Sequence, residues 1–145
     1  MRKLKGVLLI DDNETSNFLN HRLLNRMQVT ENIRVFSTGQ SALDYLQKLD
    51  NGDYNPADPN FFEPDLILLD VNMPVMDGFE FLEIFNQKLG DKIKRNTVVA
   101  ILSTSAHPQD TLRANDYSAP YIIKPLTVDK VNNLLTEKFD AVTAS

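Results

Sequence analysis

The 145 residues, 42% apolar and 24% charged, have the length of one domain and the composition of a chain that buries a core; disorder is excluded. There is no cysteine, which removes disulfide frameworks, thiolate zinc sites, iron–sulfur clusters and cysteine nucleophiles. The net charge of −5 argues against a nucleic-acid partner, whose footprint is a basic face; the basic cluster Arg2, Lys3 and Lys5 reads as a solvated terminus.

The first element is Val7–Ile10, a short apolar run closed by Asp11 and Asp12. A signal peptide needs about 7–15 apolar residues and a membrane span about 20, so the run predicts a buried strand, and the chain is expected to be cytoplasmic with no membrane partner. Glu14 to Met27 follows with a helical stripe of Ser16, Leu19, Leu23, Leu24 and Met27. Phe18 points away from it; an exposed apolar residue there is ordinary, with a docking spot for a partner as the alternative. Ile33–Phe36 is a weaker strand, interrupted by Arg34. Ser37 and Gln40 have capping-box spacing and would open a helix with Ala42, Leu46 and Leu49 inward.

Residues 50–63, DNGDYNPADPNFFE, are turn formers and predict a surface excursion whose spacing does not match a calcium loop. Leu66–Leu69 is the third strand. Gly78 to Leu89 is helical, with Leu82, Phe85 and Leu89 inward. Val98–Leu102 is the fourth strand, a short helix starts at Pro108, Tyr121–Ile123 is the fifth strand, and a last helix follows Thr127 with Val128, Val131, Leu134 and Leu135 inward. Continuous apolar runs are strands covered on both faces. Five β-α units therefore predict an α/β fold, a five-stranded parallel sheet with helices on both faces, in one domain spanning residues 1–145. With the chain used up in this way, no separate output domain is expected.

In such sheets the chemistry lies at the carboxyl ends of the strands. Asp11 and Asp12 follow the first strand, Asp70 the third, Ser103 the fourth and Lys124 the fifth. Three crowded carboxylates call for a hard divalent ion, Mg²⁺, which would leave positions open for a phosphate. A lysine and a hydroxyl on the same rim suit phosphoryl oxygens. Together they form a phosphoryl-transfer layout in which a carboxylate attacks in line. Singly, each residue has an ordinary reading: a turn and helix cap at Asp12 or Asn13, a solvated turn at Lys124 and Pro125. His21 and His107 have no ligand spacing and read as surface residues.

The segments LLIDDN, DLILLDVNMPVMDGFEFL, AILSTSA and YIIKPL resemble the receiver domain of two-component response regulators, and the resemblance runs from Lys5 to Phe139. It implies the flavodoxin-like (βα)5 fold of a single-domain, chemotaxis-regulator-like receiver. Asp70 matches the phosphoacceptor, supplied by a histidine kinase or a histidine phosphotransfer protein. Asp11 and Asp12 match the pair that holds Mg²⁺, joined by Asp70 and the backbone carbonyl of Asn72. Lys124 matches the phosphoryl-binding lysine, Ser103 the switch hydroxyl (with Thr104 a weaker candidate) and Tyr121 the switch aromatic. Pro74 and Gly78 match residues that shape the loop after Asp70. Tyr117 and Pro120 depart from the pattern, in which glycine often precedes the fifth strand.

The resemblance implies a phosphoacceptor that catalyses only its own phosphorylation and dephosphorylation, and that signals to a downstream protein or relays the phosphoryl group. Two alternatives are a receiver that binds partners without phosphorylation and a dehalogenase-type aspartyl phosphatase. The phosphatase needs a second Asp where this chain has Asn72. A flavin carrier would need a phosphate-binding loop after the first strand, and none is present.

Overall fold

The computed structural model describes residues 3–140, so Arg2 lies outside the described residues. The strands are β1 (Val7–Ile10), β2 (Ile33–Phe36), β3 (Leu66–Asp70), β4 (Val98–Ser103) and β5 (Tyr121–Ile123). The helices are α1 (Glu14–Arg26), α2 (Gly39–Asn51), α3 (Gly78–Lys88), α4 (Asp91–Asn96), α5 (Pro108–Asp116) and α6 (Val128–Leu135), followed by a π-helical turn, Thr136–Asp140. All strand pairs are parallel, in the order β2-β1-β3-β4-β5. The order reverses between β1 and β3, where Ile10 pairs with Leu69, and the acidic residues stand just beyond that switch point.

Alternation along each strand splits the core into two layers. Leu8, Ile10, Ile67, Leu69 and Ile101 face α2 and α3, where Leu46, Phe81 and Phe85 are buried. Val7, Leu9, Leu66, Leu68, Ala100 and Leu102 face Leu24 of α1 and Val131, Leu134 and Leu135 of α6. Burial on both sides is why these strands read as unbroken apolar runs.

The helices start at capping residues. Asn13 accepts from Ser16 N at 2.9 Å, and Asp77 and Glu80 form a reciprocal capping box at the start of α3. The box expected at Ser37 and Gln40 is not the one formed. Thr38, extended at φ −137° and ψ 153°, is the last non-helical residue and accepts from Ser41 N at 3.1 Å. Gln40 instead donates to Asp44 one turn on, at 2.9 Å.

The inward face of α1 is also corrected. Asn17 and Leu24 are its buried residues, whereas Leu19 is 54% exposed. Leu19 lies two positions from Asn17, about 200° around the helix, and so on the opposite side. Val128, expected inward, is 48% exposed; it is the first residue of α6, whose buried residues are Val131, Leu134 and Leu135. The sequence pattern also gave no sign of α4, a six-residue turn that buries only Ile93.

The stretch expected as a surface excursion is mostly exposed and has its own packing. α2 continues to Asn51 and is closed by Gly52 at φ 70°, where a side chain would be strained. Tyr54 stacks on Phe61, Phe61 stacks on Tyr45, and Tyr45 Oη both accepts from Phe62 N and donates to Phe62 O at 2.9 Å. The Arg34 guanidinium lies 5.0 Å from the ring centre of Phe36 and 4.7 Å from that of Tyr45, and donates to Asn60 O. A Cβ on Gly6 would collide with the Phe62 ring. Gly6 precedes β1, so the loop packs at the opposite end of the sheet from the acidic residues.

Candidate functional site

Asp11 immediately follows β1, and Asp70 is the last residue of β3. The adjacent strands bring both to one rim, buried at 3% and 4% exposure, with Asp12 exposed beside them. One oxygen from each of these three residues lies within 4.8 Å of the others. Asp11 is held firmly: its backbone N–H donates to Phe36 O, and its Oδ1 accepts from Asn13 N at 2.9 Å.

Lys124 immediately follows β5, the edge strand, with β4 between β5 and the strands that carry the acids. Its four-carbon stem spans that distance, a reach a short side chain lacks. Nζ lies 3.0 Å from Asp11 Oδ2 and 2.9 Å from Asp70 Oδ1. The backbone that carries it is pinned at both ends. Lys124 N donates to Ser103 O at 2.7 Å, and Lys130 of α6 donates to Ile123 O and Pro125 O at 2.6 and 3.0 Å. The Lys124–Pro125 peptide is cis.

Ser103 ends β4 fully buried, its Oγ accepting from Ser105 N at 3.0 Å. Thr104, the next residue, is exposed. Tyr121 is half-buried against the α2–α3 layer and donates through Oη to Ser105 O at 2.6 Å. Ser103 and Tyr121 therefore converge on one residue, Ser105, from two adjacent strands.

The loop after Asp70 is tightly folded. Asn72 is exposed in it; Met76 N donates to Pro74 O at 2.8 Å across a γ-turn whose central residue, Val75, has φ 70° and is fully exposed. Gly78 N donates to Val71 O, and a Cβ on Gly78 would come within 2.9 Å of Asp70 O. Only glycine lets the start of α3 approach β3 this closely.

Electrostatics follow from this crowding. Burial pushes the Asp70 carboxyl above the usual carboxylate range; the bond to Lys124 opposes this, and Asp11 and Asp12 add to the rise. Burial alone would lower Lys124, but its bonds to Asp70 and Asp11 outweigh burial and raise it. The donor set, three carboxylates with no nitrogen or sulfur ligand among the described residues, fits a hard cation such as Mg²⁺.

This arrangement has relatives. The chain matches the response regulator receiver domain family over residues 7–136. It belongs to that family. The receiver is 30% identical over 132 residues to the probable methanogenesis regulatory protein FilR2 of Methanothrix harundinacea, covering 90% of this chain and 79% of that protein. It is 31% identical over 111 residues to the response regulator Rcp1 of Synechocystis, covering 77% of this chain and 69% of that protein. It spans only 20% of the length of a plant relative, Arabidopsis thaliana ARR10, at 27% identity. Among solved structures, a two component response regulator from Cytophaga hutchinsonii superposes with a TM-score of 0.81 at 32% identity, covering 96% of this chain and 99% of the other. These neighbours share the flavodoxin-like receiver fold seen here.

Two residues that the sequence reading passed over belong to this rim, Asn17 and Lys130. The stripe read on α1 was centred on leucines and left Asn17 outside it, so Asn17 gave no apolar-pattern signal. Lys130 gave none, because its partners are backbone carbonyls. His107 is exposed, as expected of a surface residue, and also caps α5, accepting from Gln109 N through Nδ1 at 3.1 Å. His21 lies on α1, paired with Asn25 at 3.1 Å.

Proposed function

We propose that the protein is a receiver that accepts a phosphoryl group on Asp70 from a histidine kinase or histidine phosphotransfer protein, in a Mg²⁺-dependent reaction. It acts as a cytoplasmic signalling domain and catalyses only its own phosphorylation and dephosphorylation. Among the described residues no helix is long and apolar enough to cross a membrane. The observation that carries the reading is the Lys124 ammonium, shared between Asp11 and Asp70 beside the three-carboxylate cluster. An anion-rich pocket with one fixed cation suits transfer of a phosphoryl group to a carboxylate.

In the transfer, an Asp70 oxygen forms a bond to phosphorus as the P–N bond of phosphohistidine breaks, and the imidazole leaves with a proton. Asp11, Asp12, Asp70 and the Asn72 carbonyl would hold Mg²⁺, which when bound neutralises charge on the phosphoryl oxygens. Lys124, already 2.9 Å from Asp70 Oδ1, is within reach of the new phosphoryl oxygens. Ser103 Oγ can donate to one of them while accepting from Ser105 N. Because Tyr121 bonds the Ser105 carbonyl, movement of the Ser103–Ser105 segment is felt at Tyr121. Moving a two-state equilibrium from 1:99 to 99:1 requires about 5.5 kcal/mol, and two charge-assisted bonds of about 1.5–3 kcal/mol each approach that.

On α1, Phe18 (64% exposed) and Leu19 (54% exposed) are apolar side chains open to solvent and suit contact with the phosphodonor. A downstream protein, or a relay partner, would read the switched face. The test is incubation with acetyl phosphate and Mg²⁺ followed by intact mass. A gain of one phosphoryl group, lost in Asp70→Asn and on chelation, is expected. No gain in the wild type would favour a receiver that binds partners without phosphorylation.

A further inference from the structure

Asn17 stands out as a buried amide on the helix face that otherwise packs against apolar strands; it is 7% exposed. Its Nδ2 donates to the Asp11 carbonyl at 2.7 Å, while its Oδ1 is buried with no hydrogen-bond partner among the described residues. An apolar side chain of the same size would avoid stranding that oxygen. The amide's favourable contact is therefore the one bond it makes, to the carbonyl joining Asp11 to Asp12.

The consequence falls on Asp12. Asp11 is fixed through Phe36, Asn13 and Lys124. Asp12 is exposed, and its direction is set by the backbone on either side. On one side that backbone is the peptide whose oxygen Asn17 holds; on the other it is the Asn13 peptide, tied to Asp11 Oδ1. Releasing the first of these leaves the Asp11–Asp12 peptide free to rotate and Asp12 free to leave the cluster.

We infer that Asn17 is a positioning residue for the acidic pair, and that it sets the affinity of the site for Mg²⁺ by fixing the peptide between Asp11 and Asp12. This inference rests on the metal-dependent reading above. Outer partners that orient metal ligands typically contribute about 10–100-fold to affinity, and the lower end suits a residue that acts through one peptide.

The experiment is calorimetric titration of Mg²⁺ into the wild type, Asn17→Leu and Leu24→Ala, with thermal melts in the absence of Mg²⁺. Leu24→Ala removes packing from the same helix face without touching the site. The dissociation constant of Asn17→Leu should rise about tenfold, while that of Leu24→Ala stays within about twofold of the wild type even as its melting temperature falls. At saturating Mg²⁺, phosphorylation of Asn17→Leu by acetyl phosphate should return close to the wild-type rate. If Asn17→Leu fails to fold, Asn17→Ser, too short to reach the Asp11 carbonyl, is read in the same way. Wild-type Mg²⁺ affinity in the Asn17 variant, or a loss of affinity matched by Leu24→Ala, overturns the inference alone. Absence of Mg²⁺ binding in the wild type overturns the metal reading and the inference together.

Discussion

Asp70 is surrounded by competing influences, and their balance has a measurable sign. Burial, with Asp11 and Asp12 nearby, raises its carboxyl above the usual range in spite of Lys124. The folded state then binds the Asp70 proton more tightly than the unfolded chain does. This contribution is fully present below the ordinary carboxylate pKa and is lost as pH rises through the raised folded value. The ionised Asp70 thus costs stability at neutral pH. In Mg²⁺-free buffer, Asp70→Asn should be more stable than the wild type at pH 7, with the difference shrinking as the pH falls below the ordinary carboxylate range. Urea denaturation across pH checks this, and equal stability at pH 7 would contradict it. Lys124 has the opposite role: its raised value gives stability that is present below the ordinary lysine pKa and lost only as pH rises through the folded value.

At the scale of elements, the β2–α2–loop corner shows what a sequence pattern can and cannot convey. Arg34 weakened the reading of β2 because a charge interrupts the apolar run. In the fold it lies over the rings of Phe36, Tyr45 and Phe61, closing the edge of the sheet with the loop. Arg34→Ala should cost about 1–2 kcal/mol in urea denaturation, from lost ring contacts and the bond to Asn60 O. Phosphorylation of the folded variant by acetyl phosphate should keep the wild-type rate, since the loop packs by Gly6 at the far end of β1. A slowed reaction in a stably folded variant would show that the corner communicates with the rim.

The strands were legible because burial on both faces leaves unbroken apolar runs, and Asp11, Asp70, Ser103 and Lys124 were legible as polar residues at their ends. The cap at Thr38 was misread by one residue because Ser37 and Thr38 carry the same hydroxyl chemistry. The short α4 was missed because one buried residue, Ile93, has no period. The loop packing was missed because aromatic contacts between distant residues leave no local pattern. Asn17 was passed over when the stripe of α1 was centred on leucines, which turned the helix away from its true inward face.

Over the whole molecule, the doubly wound order makes the site from distant segments of the chain. β1 and β3 become neighbours at the switch point and deliver Asp11 and Asp70 together, while Lys124 reaches across from the edge. The acidity noted in the composition is thereby partly a local property, three carboxylates at one rim served by one ammonium. The measurement that most directly tests this account is the position of the acyl phosphate. The protein is treated with acetyl phosphate and Mg²⁺, reduced with borohydride to convert a phosphorylated aspartate to homoserine, and mapped by peptide mass. Homoserine at position 70 alone is the predicted result; homoserine at Asp11 or Asp12, or none at position 70, would contradict it.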